Sequence, residues 1–345
     1  MTHPQYVLRP VHKDDFDEVF RLITTIGDGL TSLPLDPENI AHRIDDSQRA
    51  FDPLIRKPGG ETYLFVLEDL ETGKIIGTSG LLSRVGGFEP FYTYEMQQLK
   101  HEYAPLKIQM ELKVLHLRKN HKGPTEICSL FLHKDYRSGG LGKLLSLSRF
   151  CFMKTFKERF DETILAELRG FINEDGKSPF WEAVGRKFFR DDYSKADILS
   201  GLGEKEFIET LMPEYPIYVS LLPKSARKVI GKVHDHTRPA RKILFDEGFT
   251  ETNEIDIFDA GPILTAPRSE LRTWKESRLA SLLEGNPDAG CSRQFLLMNQ
   301  SLDFRAIRVN AQPRATDELI VSAKALSTLG LLPGEQAMCL PMETT

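Results

Sequence analysis

The chain has 345 residues, 40% of them hydrophobic and 28% charged, which suits two folded domains and excludes a disordered chain. Its 45 basic and 50 acidic residues leave a net charge of −5. That balance argues against nucleic acid as the main partner, so any anion site has to be built locally from basic side chains or backbone N–H groups.

The first residues, QYVLRP, predict a short strand, and the following stretch to Ile23 predicts an amphipathic helix. Asp14 or Asp15 stands near its start, and Phe16, Val19, Phe20 and Ile23 form its apolar stripe. A loop punctuated by Gly27, Gly29 and Pro34 leads to a second helix over 37–50. TYLFVLED at 62–69 and KIIGTSGLL at 74–82 read as two strands of a hairpin, and an irregular region follows. IQMELKVLHL at 108–117 and TEICSLFLH at 125–133 read as strands, the second buried. A Gly-rich turn and a long helix from residue 141 come next, then a strand over 162–170. SPFWEAVGRKFF at 178–189 reads as a short helix with a strand after it. PARKILFDEGF at 239–249 reads as a helix stopping near Gly248, and EIDIFDAGP as a strand entering a turn. The stretch 281–292 reads as a linker. Beyond it short strands with turns at Gly330 and Pro333–Gly334 predict a small β-rich, barrel-like C-terminal domain over 290–345, after a region 1–285 that divides near 195–225.

Cys128, Cys151, Cys291 and Cys339 are widely spaced and form no Cys-x-x-Cys pair. This pattern points to reduced thiols in the cytoplasm and away from a zinc site or a disulfide framework. No apolar run approaches ~18 residues, so no membrane span is expected. The N-terminus shows no signal-peptide pattern.

The strongest local signal is Arg137-Ser138-Gly139-Gly140-Leu141-Gly142, set between a buried strand and an amphipathic helix. Glycines let backbone approach an anion closely. The helix that starts there offers unpaired N–H groups and the positive end of its dipole. Together they make a diphosphate cradle, to which Arg137 adds a forked cation. A plain strand-to-helix turn also favours glycine, so the glycines alone leave the two readings even. The turn is neither a dinucleotide fingerprint nor a P-loop, because it comes after several strands and lacks a Lys-Ser/Thr pair after the last glycine.

The arrangement resembles the coenzyme A site of the GCN5-related N-acyltransferase superfamily. That resemblance implies an α+β fold with a mixed sheet flanked by helices, its central strand at 125–132 and a splayed strand at 162–169. Several long stretches sharpen the likeness to one family. GLTSLP at 29–34, FVLED at 65–69, CSLFL at 128–132, SPFWEAVGRKFF at 178–189, IGKVH at 230–234, PARKIL at 239–244 and IDIFDAGP at 255–262 resemble the arginine N-succinyltransferase family in the family's order. One block departs, with TLMP at 210–213 where the family has ELMP.

The resemblance implies transfer of a succinyl group from succinyl-CoA, a co-substrate, to the α-amino group of L-arginine, with no prosthetic group and no metal. It implies a homo-oligomer or a hetero-oligomer with a related subunit. Alternatives are an acyltransferase acting on ornithine or another amine, and a non-catalytic CoA-binding protein. Leu130 matches the family's succinyl-CoA contact and His234 its proton donor; a histidine with a near-neutral pKa suits proton transfer. His236, two residues on, lies outside the matching block. Arg137, Gly140, Leu141 and Gly142 are the expected diphosphate contacts. Thr31, Ser32, Glu167, Asp256 and Asp259 are the expected acceptor contacts. For the two aspartates, turn formation is at least as good a reading. Glu126 and Arg169 border the same strands, and a covalent cysteine intermediate is not expected.

Overall fold

The computed structural model describes residues 3–25, 33, 35–137, 139–201 and 205–342. In chain order its strands are β1 Tyr6–Pro10, β2 Thr62–Asp69, β3 Ile75–Leu82, β4 Phe91–Tyr103, β5 Ile108–Asn120, β6 Thr125–Leu132, β7 Thr163–Glu167 and β8 Ile217–Tyr218. They continue with β9 Thr250–Ile255, β10 Pro262–Pro267, β11 Arg278–Glu284, β12 Arg293–Met298, β13 Ala306–Ala315, β14 Glu318–Val321 and β15 Gln336–Pro341. The chain forms two compact units, one of Met1–Ser83, Ile127–Glu162 and Pro267–Thr345, the other of Arg84–Glu126 and Thr163–Ala266.

In the first unit β1, β2 and β3 pair antiparallel, with Tyr6 opposite Asp69 and Thr62 opposite Leu82. Alternation along these strands sends Leu64, Val66 and Ile75 to one face. Two helices cover that face, Phe16–Thr24 through Val19, Leu22 and Ile23, and Pro37–Ala50 through Ile40 and Ile44. The second helix starts where its sequence says it should: Pro37 sits in the first turn and the Asp36 carboxylate accepts the Asn39 N–H at 2.9 Å. The long helix Leu141–Thr155 is buried along most of its length, and its Phe152 packs among Phe51, Tyr63, Phe65 and Phe304.

The C-terminal strands close on themselves in the order β12-β15-β11-β14-β13, with β13 pairing back to β12. Five strands in a ring leave no free edge, which lets so short a segment be built mostly of strands. The ring is filled by Leu282, Phe295, Leu297, Ile307, Val309, Leu319, Val321 and Cys339, and helix Ala323–Leu329 lays Ala325, Leu326 and Leu329 against that core. β13 also pairs with β1, Ala306 facing Leu8. The expected barrel is therefore present, but β11 occupies 278–284, the start of the stretch read as a linker. Its LASLLE pattern alternates, and the connecting loop begins only after Glu284.

In the second unit β6 pairs parallel with β7, Thr125 facing Ile164 and Glu126 facing Leu165. β10, β9, β4, β5 and β8 come next in that order. β4 and β5 make a thirteen-pair antiparallel hairpin, Phe91 to Asn120 through Tyr103 to Ile108. β4 lies in the region read as irregular. Burial fades along it from Phe91 to the exposed Tyr103, so its outer half carries no apolar alternation to read. The core gathers Tyr94, Leu115, Phe180, Trp181, Val184, Ile208, Ile255 and Phe258. The segment 178–189 corrects the expectation of a helix followed by a strand: it forms two short helices, Pro179–Ala183 and Gly185–Phe189. Ser178 caps the first, accepting the Trp181 N–H at 3.1 Å. The second turn is needed to stack Phe189 on the fully buried Trp181, with ring centroids 5.2 Å apart, and Arg190 ends it at φ 57°. Among the described residues, no helix is long and apolar enough to cross a membrane.

Candidate active site

Each unit carries part of the predicted chemistry. In the first, β6 leads through a 3-10 turn, Lys134–Tyr136, to the glycines and helix Leu141–Thr155. Gly139 and Gly140 both have left-handed φ, 66° and 80°, which a side chain resists, and Gly140 is the N-cap. The Lys143 and Leu144 N–H groups donate to the Gly140 carbonyl at 3.1 and 3.3 Å, so the N–H groups of Leu141 and Gly142 lie ahead of the first intrahelical bonds. Arg137 is exposed, and its Nε donates to the Leu132 carbonyl at 3.0 Å while its guanidinium lies 5.8 Å from the Phe131 ring centre. That bond orients the guanidinium, and among the described residues neither Nη group makes a hydrogen bond. Leu130 is half-buried rather than packed in the core, on the same partly open face of β6 as Glu126 and Cys128.

Inside β6 the backbone breaks its own rule. Ser129 has φ 51°, a left-handed conformation in the middle of a strand and next to Leu130. β3 is thinned to admit it: an added Cβ on Gly80 would stand 3.1 Å from the Ser129 Cβ and 3.2 Å from the Cys128 Sγ. Strain of about 1 kcal/mol or more at such a residue persists only where packing holds it, and it redirects the peptide groups on either side. Sequence reading missed Ser129. Its one signal is the pair of glycines in the neighbouring strand.

In the second unit His234 ends a loop stitched down at three points. The Gly231 N–H donates to the Ala260 carbonyl at 2.9 Å, Val233 bridges to Gly170, and the His234 N–H donates to the Arg169 carbonyl at 2.8 Å. The imidazole Nδ1 accepts the His236 N–H at 3.2 Å, and the two imidazoles lie edge to face at 5.0 Å. An accepting Nδ1 carries no proton, so the neutral ring holds its proton on Nε2. Burial, and then the charges of Arg169 and His236, push the His234 pKa below the ordinary value.

Four carboxylates share this unit's site. Burial pushes the Glu167 carboxyl well above the usual range, and the charges of Glu126 and Asp256 add to it against the pull of Lys205. Glu167 keeps partial solvent exposure. Asp259 is 4% exposed and accepts the Gly170 and Gly261 N–H groups at 2.7 and 2.8 Å and the Tyr193 hydroxyl at 3.4 Å. Asp256 accepts the Phe258 and Asp259 N–H groups, each at 2.7 Å. Both aspartates therefore shape the 256–261 turn on which the His234 loop rests. Glu167 feels the charges of Glu126, Asp256 and Asp259, while His234 and Asp259 feel each other and Arg169. Thr31, Ser32 and Ser138 lie outside the described residues.

Residues 6–273 match the family model described as arginine N-succinyltransferase beta subunit. The chain belongs to the arginine N-succinyltransferase family. It is 40% identical over 331 residues to the arginine N-succinyltransferases of Shigella flexneri serotype 5b and Escherichia coli O6:K15:H31, covering 96% of each chain in both cases. It is also similar to the solved structure of arginine/ornithine succinyltransferase subunit AI from Pseudomonas aeruginosa, at 33% identity and a TM-score of 0.89, over 99% of this chain and 100% of that one. As a member of the arginine N-succinyltransferase family the chain is an acyltransferase, and the mixed α+β fold with a C-terminal barrel agrees with the fold expected from its sequence.

Proposed function

We propose that the chain transfers the succinyl group of succinyl-CoA to the α-amino group of L-arginine, giving N2-succinyl-L-arginine and CoA. The observation that carries the reading is the likeness along nearly the whole chain to relatives named arginine N-succinyltransferase. No prosthetic group is needed: the acyl donor arrives activated as a thioester, and the amine attacks it directly.

The acceptor's ammonium sheds two protons in all. One must leave before attack, since only the free amine is a nucleophile; the other leaves as the tetrahedral intermediate collapses. The C–S bond breaks and the thiolate ends as a thiol, so one proton finishes on sulfur and one is released. Glu167, a carboxyl held up in pKa within reach of solvent, suits the task of taking the amine's proton. His234 acts at the departing sulfur, where its Nε2–H stabilises the developing charge on the proton-donor side of the transfer. Leu130 offers backbone groups to the pantetheine arm, and Arg137, Gly140, Leu141 and Gly142 hold the diphosphate. Thr31 and Ser32 are assigned to the acceptor side with Asp256 and Asp259, the aspartates by shaping the turn under His234.

Release of free thiol on mixing the protein with succinyl-CoA and L-arginine tests the reading, with ornithine, lysine and acetyl-CoA as comparisons. Ornithine matters because the Pseudomonas aeruginosa protein is named for both acceptors. His234→Ala is expected to lower turnover at least ~100-fold while CoA binding stays nearly intact. A variant that kept most of its activity would remove His234 from the chemistry.

A further inference from the structure

Alternation along β13 places Ile307, Val309 and Ala311 in the barrel core and turns Arg308 outward. The outward side faces the glycine turn before helix Leu141–Thr155. An added Cβ on Gly140 would collide with Arg308 Nη1 and stand 3.3 Å from its Cζ; one on Gly139 would stand 3.8 Å from Nη2. The guanidinium thus lies directly on the two left-handed glycines, in the electrostatic field of Tyr6, whose ring meets Tyr136 edge to face at 6.3 Å. Among the described residues Arg308 makes no hydrogen bond and no ion pair, although it is only partly exposed.

An arginine taken partly out of water with no acceptor is costly to the free protein. Burial pushes its pKa down from the ordinary arginine value, against the opposing pull of Tyr6. The part-buried Arg9 and the fully buried Arg149 and Arg159 of this unit all have acceptors: Arg9 holds Asp15 and Glu68, Arg149 the Ser146 and Cys128 carbonyls, Arg159 the Ala50 and Asp52 carbonyls. Arg308 brings its guanidinium donors beside the Leu141 and Gly142 N–H groups, which among the described residues have no backbone acceptor.

We propose that Arg308, a residue of the C-terminal barrel, binds the diphosphate of the acyl-CoA together with the Gly139–Gly142 turn and Arg137. The inference rests on the reading of that turn as the diphosphate cradle. It gives the barrel a role in substrate binding, and it explains why position 140 takes no side chain beyond the demand of its φ. Two forked cations and a helix start would concentrate positive charge locally in a chain whose net charge is −5.

The test compares wild type, Arg308→Ala and Arg308→Lys in the full-length protein. Each is assayed with succinyl-CoA, with its dephospho form lacking the ribose 3′-phosphate, and with succinyl-pantetheine, which has no diphosphate. Arg308→Ala should raise KM for succinyl-CoA and its dephospho form by about 10- to 100-fold, with kcat and the KM for arginine little changed. Arg308→Lys should recover part of the loss, and with succinyl-pantetheine all three proteins should behave alike. The Arg308→Ala protein without ligand should unfold at the same temperature as wild type or higher, since no folded-state partner is lost. A KM unchanged by Arg308→Ala, or an equal loss on succinyl-pantetheine, overturns the inference; so does a loss that disappears with the dephospho form, which would place Arg308 on the 3′-phosphate. Failure of wild type itself to bind CoA would instead overturn the functional reading beneath it.

Discussion

His234 is positioned through its backbone N–H and its Nδ1. The Nδ1 bond to the His236 N–H selects the Nε2–H form, and the surroundings disfavour the imidazolium: burial first, then Arg169 and His236. The folded pKa is therefore below the unfolded one. The neutral ring's contribution to stability is complete above about 6.5 and is lost as pH falls through the lower, folded value. A ring-nitrogen NMR titration is expected to show an unprotonated Nδ1 at neutral pH and a midpoint below 6.5. A midpoint at or above that value would mean a stabilised imidazolium and a different proton-transfer role. The identity of the residue carried none of this. IGKVH pointed to His234, but only the His236 amide decides which nitrogen can donate.

At the scale of an element, helix Leu141–Thr155 has two jobs with separable signatures. Its first turn carries the proposed diphosphate contacts, and its body anchors that turn. Arg149 is fully buried, its pKa pushed down to about 10 by burial, and ties the helix to β6 through the Cys128 carbonyl at 3.2 Å. Phe152 stands at the centre of an aromatic cluster, with Phe51, Tyr63, Phe65, Phe156, Phe160 and Phe304 at centroid distances of 4.9–5.9 Å. Phe152→Ala is expected to cost about 3–5 kcal/mol, because six rings cannot collapse into the space it leaves. Urea unfolding measures this; a loss under about 1 kcal/mol would show that the cluster relaxes and that the anchoring lies elsewhere. The helix itself was legible from residue 141 onward. Its burial on nearly every side was not, since an apolar stripe says which face is buried first and not how many neighbours arrive.

For the molecule as a whole, the barrel is part of the first unit and not an appendage. Val7 belongs to the barrel's own core cluster, and Leu8 of the same strand pairs with Ala306. A chain ending before Arg278 would uncover that side of β1 and expose an unpaired edge. It is expected to be insoluble, or to lack a cooperative thermal transition by circular dichroism. A soluble truncated chain with a sharp transition would show that the N-terminal strands close their core alone.

Local pattern was enough for the helix over 37–50, the hairpin of β2 and β3, the stop at Gly248 and the 137–142 turn, because caps, glycines and alternation act over a few residues. Long shared blocks were enough for the family. Tertiary structure alone decided the left-handed Ser129 against Gly80, the commitment of Asp259 to Gly170 and Gly261, and the arrival of Arg308 on Gly140. Each joins chain segments distant in sequence or depends on a neighbouring strand's register. Such meetings are set by packing and pairing, to which residue spacing is blind.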